Sequence, residues 1–177
     1  THFFSKSSFD LNLDNDLSGE LNIKIQQTSD DDYLKTYKLK SPLIESESNL
    51  NTSLNFNLYS DDLSVKITSE TYENLSLPDS DRYEYIYPSI NIIKEFDYFD
   101  NGNFSLSSAI LNKQYQTNIK ESTITNDLNY KSYNKISSNG LLSSYEVLIK
   151  NFNSDANNSS KFSNKNPSSL AAITNYE

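Results

Sequence analysis

Few residues in this chain have types and spacing that could do chemistry, and most of them are carboxylates. Asp30, Asp31 and Asp32 form the densest acidic cluster, and clustered carboxylate oxygens are ligands that Ca²⁺ prefers. The cluster lacks the glycine and the spaced ligands of a calcium loop, so we interpret it as a solvated acidic loop. Cysteine is absent, and the single histidine is His2. Without a thiol, a Ser-His-Asp set or a glycine-rich phosphate loop, the sequence predicts no enzyme, no cofactor and no metal site.

The charge of the chain limits its partners. The net charge of the 177 residues is −9, and the basic residues form no continuous stripe, so the sequence predicts no nucleic-acid partner. Arg82 is the sole arginine and lies beside Asp79 and Asp81. We predict that it forms a salt bridge there and pins the adjacent loop.

Predicted strands must position these side chains. The clearest strand pattern lies on both sides of a predicted turn at Asn101-Gly102. Alternation with a period of two on both sides of a glycine-containing turn predicts a long β-hairpin over residues 82–118. Pro88 cannot donate a hydrogen bond to a strand ladder, so we predict a local break or bulge there. In the first arm, one predicted face carries Ile86, Pro88, Ile90, Ile92 and Phe96, and the other carries Tyr85, Tyr87, Ser89, Asn91 and Glu95.

The same alternation recurs along the whole chain and predicts an all-β protein without a helix. We expect about nine long strands in an antiparallel up-and-down meander. Short turns on one side and longer loops on the other are typical of outer-membrane barrels. The predicted strands cover residues 3–14, 18–28, 49–59, 63–74, 82–96, 104–117, 123–136, 141–152 and a last one from 169 onward.

Alternation does not say which face points inward. A soluble sandwich packs its apolar face against a second sheet, whereas a membrane barrel turns that face to lipid and lines a lumen with the other. Strands near the 9–11 or so residues of a membrane strand, and an amide-rich and hydroxyl-rich polar face, favour an open segment of a transmembrane β-barrel. Asn55, Tyr85, Tyr87 and Asn91 are the candidate lumen-facing residues. Aromatic residues near strand ends suit an interfacial girdle: Phe3, Phe4, Tyr59, Tyr72, Tyr83, Phe96, Tyr98, Phe99, Tyr115 and Phe152.

Three motifs resemble the barrel domain of the LptD family of lipopolysaccharide-assembly proteins, also called organic solvent tolerance proteins. They are TSDDDYLK at 28–35, RYEYIYPSIN at 82–91, and Gly102-x-Phe-Ser-Leu-Ser leading to Tyr115. Their order and spacing match the family from about residue 17 to residue 118, and the match is looser from residue 122 onward. The family's periplasmic jelly-roll domain and its disulfide-forming cysteines do not occur here.

The resemblance implies that residues 1–177 are a partial β-barrel domain, an internal run of strands from the outer membrane of a Gram-negative bacterium. It implies delivery of lipopolysaccharide to the outer leaflet, with an LptE-like lipoprotein plug and, through a domain not in this sequence, an LptA-like periplasmic bridge as partners. Contact between Arg82 and a lipopolysaccharide phosphate is the second interpretation of that arginine. By the same resemblance, Ser29, Asp30, Tyr33 and Leu34 fix the geometry between strand and loop, and Pro88 and Gly102 are further structural motif residues.

Two alternatives remain open. One is a general outer-membrane porin or transporter barrel, which ion conductance without a lipopolysaccharide phenotype would favour. The other is a soluble, secreted β-sandwich, either an adhesin or a carbohydrate-binding module, which purification without detergent would favour. A run of strands cut from a larger barrel leaves two unpaired edges, so we expect no stable folding of the chain alone in water.

Overall fold

The computed structural model describes residues 1–13, 16–39, 41–96, 101–162 and 167–176. The predicted turn at Asn15 and the aromatic residues Tyr98 and Phe99 lie outside these ranges. In chain order the elements are β1 (His2–Asn12), β2 (Ser18–Thr28), α1 (Tyr33–Tyr37), β3 (Asn49–Tyr59), β4 (Leu63–Asn74), β5 (Tyr83–Phe96), β6 (Gly102–Tyr115), β7 (Ile119–Ser132), β8 (Lys135–Ile136), β9 (Leu142–Ser143), β10 (Tyr145–Asn157) and β11 (Ser168–Tyr176).

Nine of these strands form one antiparallel sheet in the order β1-β2-β3-β4-β5-β6-β7-β10-β11. The predicted all-β meander of nine long strands is therefore confirmed. Two details of the prediction are wrong. The stretch between β7 and β10 forms a separate small hairpin, β8 with β9, and the polar stretch after β2 contains the short helix α1.

The sheet is open along both edges as far as the structure describes it. β1 pairs only with β2, and β11 pairs only with β10. The long connections after β2 and β4 lie at one end of the sheet, which we call the loop end, and the short connection after β3 lies at the other, the turn end. The expected division into short turns and long loops is incomplete, because the short connection at 116–118 lies at the loop end and the long one at 133–144 lies at the turn end. No helix among the described residues is long and apolar enough to cross a membrane.

An apolar row crosses seven strands of the sheet in continuous register. Each of its members lies directly opposite the next, and paired residues project to the same side of a sheet. We call this set the central row, the side that carries it the front face, and the opposite side the back face. The central row consists of Phe9, Leu21, Phe56, Ile67, Ile90, Ile110 and Ile124.

The sheet is a single layer. No member of the central row is buried, and Phe9 and Ile124 are 51% and 40% exposed. The accessible surface of the chain is 11957 Å², against about 8,800 Å² for a compact monomer of this size. Within the described residues, no second sheet covers the front face.

The buried core is small and lies at the loop end. Among the described residues, only the hydrophobic side chains of Leu34, Leu50 and Leu75 are buried, at 1%, 2% and 5% exposure. Leu34 comes from α1, Leu50 from β3 and Leu75 from the start of the loop after β4. The core therefore fixes the loops to the strands. The loop after β2 also contacts the back face, where Lys24 Nζ lies 2.9 Å from Glu45 Oε1 and Gln26 Nε2 donates to the Leu43 carbonyl oxygen at 2.6 Å.

A bulge in β5 interrupts the alternation. Ile86 lies opposite Lys113 and Ser89 lies opposite Leu111, so Tyr87 and Pro88 together face one residue of β6. The peptide bond between Tyr87 and Pro88 is cis. Since Ile86 and Ser89 pair with Glu70 and Thr68, two positions apart on β4, both project from the back face.

The predicted faces of β5 are therefore right on one side of the bulge and wrong on the other. The bulge predicted at Pro88 is present. Ile90, Ile92 and Phe96 lie on the front face as expected. Ile86 does not join them, because the extra residue shifts the alternation by one position.

Gly102, the motif glycine of the third motif, is buried at the start of β6 where a side chain has no room. A Cβ there would lie 2.8 Å from Ser132 Cα and closer still to the Lys131 carbonyl oxygen. We expect Gly102→Ala to lower the free energy of unfolding by about 1–3 kcal/mol through overpacking. Denaturant titration of the protein in detergent micelles measures this loss.

The matched control is Gly19→Ala in β2. The nearest atoms to a Cβ at Gly19 lie 3.4 Å away, an ordinary contact distance. An equal loss of stability in both variants would show that close packing at Gly102 is not the cause.

Candidate functional site

The back face is a network of paired polar groups. In β1 to β3, the Glu20 carboxylate accepts hydrogen bonds from Ser8 Oγ at 3.3 Å and from Asn57 Nδ2 at 3.4 Å. Thr68 Oγ1 donates to Asn55 Oδ1 at 2.9 Å. Such contacts satisfy these polar groups within the sheet, although Asp127 Oδ1, Asn129 Oδ1 and Ser154 Oγ, which are buried on the same face, have no hydrogen-bond partner among the described residues.

Charged pairs continue this network across the later strands. Lys113 Nζ lies 2.8 Å from Glu84 Oε1, and Lys150 Nζ lies 2.5 Å from Asp127 Oδ2. Each pair joins neighbouring strands on the back face. The pairs balance the charge locally, which keeps a carboxylate-rich face from repelling itself.

The predicted lumen-facing residues divide between the two faces. Asn55 and Asn91 lie on the back face with the polar network, since Asn55 pairs with Thr68 and Asn91 with Lys66. Tyr85 pairs with Thr71 and Gln114, which places it on the front face. The prediction that Tyr85 and Asn91 share a face is therefore wrong, and the β5 bulge is the reason.

Tyrosines at the loop end of β5 form an aromatic ladder. The rings of Tyr83 and Tyr85 stack with centroids 5.9 Å apart, and the ring of Tyr87 meets that of Tyr85 edge-on at 5.8 Å. We call this set the tyrosine ladder. Tyr87, in the bulge, is 52% exposed and lines the same groove as Tyr85.

A groove of about 510 Å³ lies beside the tyrosine ladder. It occupies the loop end of the front face, where β5, β6, β7 and β10 run side by side. The sequence pattern did not indicate this groove, because its walls come from four separate strands and alternation describes one strand at a time. Besides Tyr85 and Tyr87, the side chains of the front face that line it are Asn112, Gln114, Lys120, Ser122, Asp155 and Asn157.

In β5, β6, β7 and β10 the front face is thus apolar toward the turn end and polar toward the loop end. One polar stripe also enters the apolar part. Ser108 Oγ donates to Asn126 Oδ1 at 2.7 Å, and Asn126 Nδ2 donates to Asn151 Oδ1 at 3.4 Å. These hydrogen bonds reduce the cost of placing amides among apolar side chains.

The predicted aromatic girdle is only partly on one face. Phe3, Tyr83 and Phe96 lie on the front face with the central row. The remaining described members lie on the back face and cannot belong to the same girdle: Phe4, Tyr59, Tyr72, Tyr115 and Phe152.

The first motif shapes the connection from β2 to α1. Ser29 N donates to the Thr1 carbonyl oxygen at 2.9 Å, and Asp30 Oδ1 accepts a hydrogen bond from Asp32 N at 2.9 Å. The Tyr33 hydroxyl lies 3.2 Å from His2 Nδ1. Leu34 then enters the core. These contacts are structural, and within the described residues no cluster of histidine and carboxylate side chains could hold a metal ion.

Arg82 connects two loops at the loop end. Its Nη2 lies 2.5 Å from Asp31 Oδ2, while its Nη1 lies 3.6 Å from both Glu73 Oε1 and Asp79 Oδ1. The side chain is 14% exposed. Hydrogen bonding to Asp31 raises the pKa of the guanidinium above its usual value. The predicted contact with Asp79 is present, but the shortest contact is with Asp31, which sequence proximity did not indicate.

We expect Asp31→Asn to loosen both loops, because it removes the charge closest to Arg82. Limited proteolysis should then cut the loop at 75–82 several-fold faster. Asp79→Asn is the control, since Asp79 is 93% exposed and its contact is long, and an exposed ion pair contributes little. Equal cleavage of Asp31→Asn and the unchanged chain would contradict the role given to this contact.

No protein-family model, curated protein or solved structure matches the chain. Its function must therefore be inferred from its own residues and their geometry.

Proposed function

We propose that this chain is part of the wall of an outer-membrane β-barrel of the LptD type, which delivers lipopolysaccharide to the outer leaflet. The observation that carries the proposal is the central row, an apolar stripe across seven strands that no second layer covers in the part of the chain that the structure describes. In water, such a stripe costs about 25 cal/mol for each Å² of apolar surface left exposed. Acyl chains would cover it without that cost.

Strand length supports a spanning role. β5, β6 and β7 each have 14 residues, which extend about 48 Å at about 3.4 Å per residue. Tilted by about 40°, such a strand rises about 36 Å along a barrel axis, more than the apolar band of about 25 Å. The surplus accommodates polar rims beyond the band.

Aromatic side chains on the front face support the same placement. Phe96 and Phe104 lie 5.5 Å apart at the turn end, and Tyr85 lies at the loop end opposite Gln114. Ten residues of β6 separate Phe104 from Gln114, about 34 Å along the strand and about 26 Å along a tilted barrel axis. That spacing suits aromatic residues at the two borders of an apolar band.

The back face would then line the lumen. Its paired Glu, Lys and Asn side chains could hydrate a saccharide and surround an LptE-like lipoprotein. The short turns would face the periplasm, and Arg82 would hold the outward loops together. The three motifs that resemble the LptD family support lipopolysaccharide as the cargo.

A porin or transporter barrel is the second candidate, and the charged back face favours it equally, since a hydrated lumen serves ion passage as well. A soluble sandwich is disfavoured because it would bury the central row under another sheet.

We expect Ile110→Lys to reduce insertion into the outer membrane, since a lysine on the lipid face near the bilayer midplane costs about 2–4 kcal/mol. Ala109→Lys is the matched control, because Ala109 is the next residue in β6 and projects from the back face. The amount of detergent-extractable protein in the outer-membrane fraction measures insertion. Equal amounts of both variants would argue against lipid at the front face.

Depletion of the protein should reduce lipopolysaccharide at the cell surface, measured by labelling of intact cells, and should cause its accumulation inside. Delivery by a different protein would leave surface labelling unchanged. Ion conductance of the purified protein in planar bilayers, together with normal surface lipopolysaccharide, would favour the porin.

A further inference from the structure

We propose that the groove beside the tyrosine ladder binds the uncharged saccharide head group of a glycolipid whose chains lie along the central row. Sugar recognition follows from the groove itself. The lipid source of the sugar rests on the proposed barrel.

The tyrosine ladder offers ring faces to a ligand. An aromatic face carries partial negative charge, which attracts the polarised C–H groups on one side of a pyranose ring. Tyr87 is half exposed, and its ring stands nearly perpendicular to that of Tyr85, at 72°. The two rings therefore form a corner that a single sugar ring can fill.

Polar groups with free hydrogen-bonding capacity surround that corner. Within the part of the chain that the structure describes, the side chains of Lys120, Asp155 and Asn157 form no hydrogen bond or ion pair, and neither do the hydroxyls of Tyr85 and Tyr87. These groups bring unused donors and acceptors together around one groove. Sugar hydroxyls both donate and accept, and they can satisfy such a mixed set.

The charge of the lining favours a neutral ligand. Lys120 and Asp155 carry opposite charges at neighbouring positions of β7 and β10, so their fields largely cancel at the groove. A phosphate would be attracted by one and repelled by the other. The hydroxyl groups of a neutral sugar carry no net charge, so neither residue repels them.

The position of the groove indicates where the sugar comes from. Asn112 and Ser122 lie two residues beyond Ile110 and Ile124 of the central row, on the same face and toward the loop end. Gln114 lies only about 14 Å along the strand from Ile110. A glycolipid with its chains on the central row would therefore place its head group in the groove.

Native mass spectrometry of the protein, extracted from the cells that make it into detergent, tests the proposal. The probes are monogalactosyl diacylglycerol, diacylglycerol with the same chains, and free methyl galactoside. We expect the galactosyl lipid to bind about tenfold tighter than plain diacylglycerol. Tyr85→Leu and Tyr87→Leu should each reduce that preference by about fivefold to tenfold, because stacking against a ring is lost.

Tyr59→Leu is the matched control. Tyr59 is 50% exposed, close to the 52% of Tyr87, but it lies on the back face at the turn end. Its replacement should leave the preference unchanged. Since Tyr87 is half exposed, its truncation should also leave the protein folded, and the yield of extracted protein checks this.

The results separate the two proposals. Insertion into membranes without any preference for the galactosyl lipid, or with a preference that survives both tyrosine substitutions, would overturn the saccharide groove and leave the barrel standing. Protein found only in the soluble fraction, which binds methyl galactoside through Tyr87, would overturn the lipid source and the barrel together but support sugar recognition.

Discussion

The structure depends on cross-strand pairing of one apolar row. From Phe9 in β1 to Ile124 in β7, each large side chain lies opposite the next, and every pairing register in this part of the sheet is consistent with that alignment. A slip of one residue at any pair would send one strand's apolar side chains to the charged side. The row therefore specifies the register as well as the surface that the protein presents to its surroundings.

The two faces then obey different physical rules. On the back face, many polar groups find partners within the sheet, and salt bridges such as Lys113 with Glu84 join neighbouring strands. The apolar side chains of the front face have no such internal solution, because only something outside the sheet can cover them. The small core of Leu34, Leu50 and Leu75 does not change this balance, since it organises the loops alone.

Much of this arrangement is readable from the sequence, because the period of a strand is a local property. Alternation predicted the strand at 49–59 with the bounds observed for β3, and it predicted correctly that Ile90, Ile92 and Phe96 share a face. Prediction failed where geometry is not local. The bulge at Tyr87 and Pro88 shifts β5 by one residue, so Tyr85 and Ile86 exchange faces relative to the simple pattern. The same is true of Arg82, whose shortest contact, Asp31, lies 51 residues earlier in the chain, and of the groove, whose walls come from four strands.

The bulge in β5 has a wider consequence for the amphipathic character of the sheet. Toward the turn end, β5 presents isoleucine side chains on the front face. Toward the loop end, it presents tyrosine rings on that same face. A surface divided in this way is apolar at the turn end and more polar at the loop end. Its preferred orientation at an oil–water boundary is therefore set within the strand itself, before any loop or partner contributes.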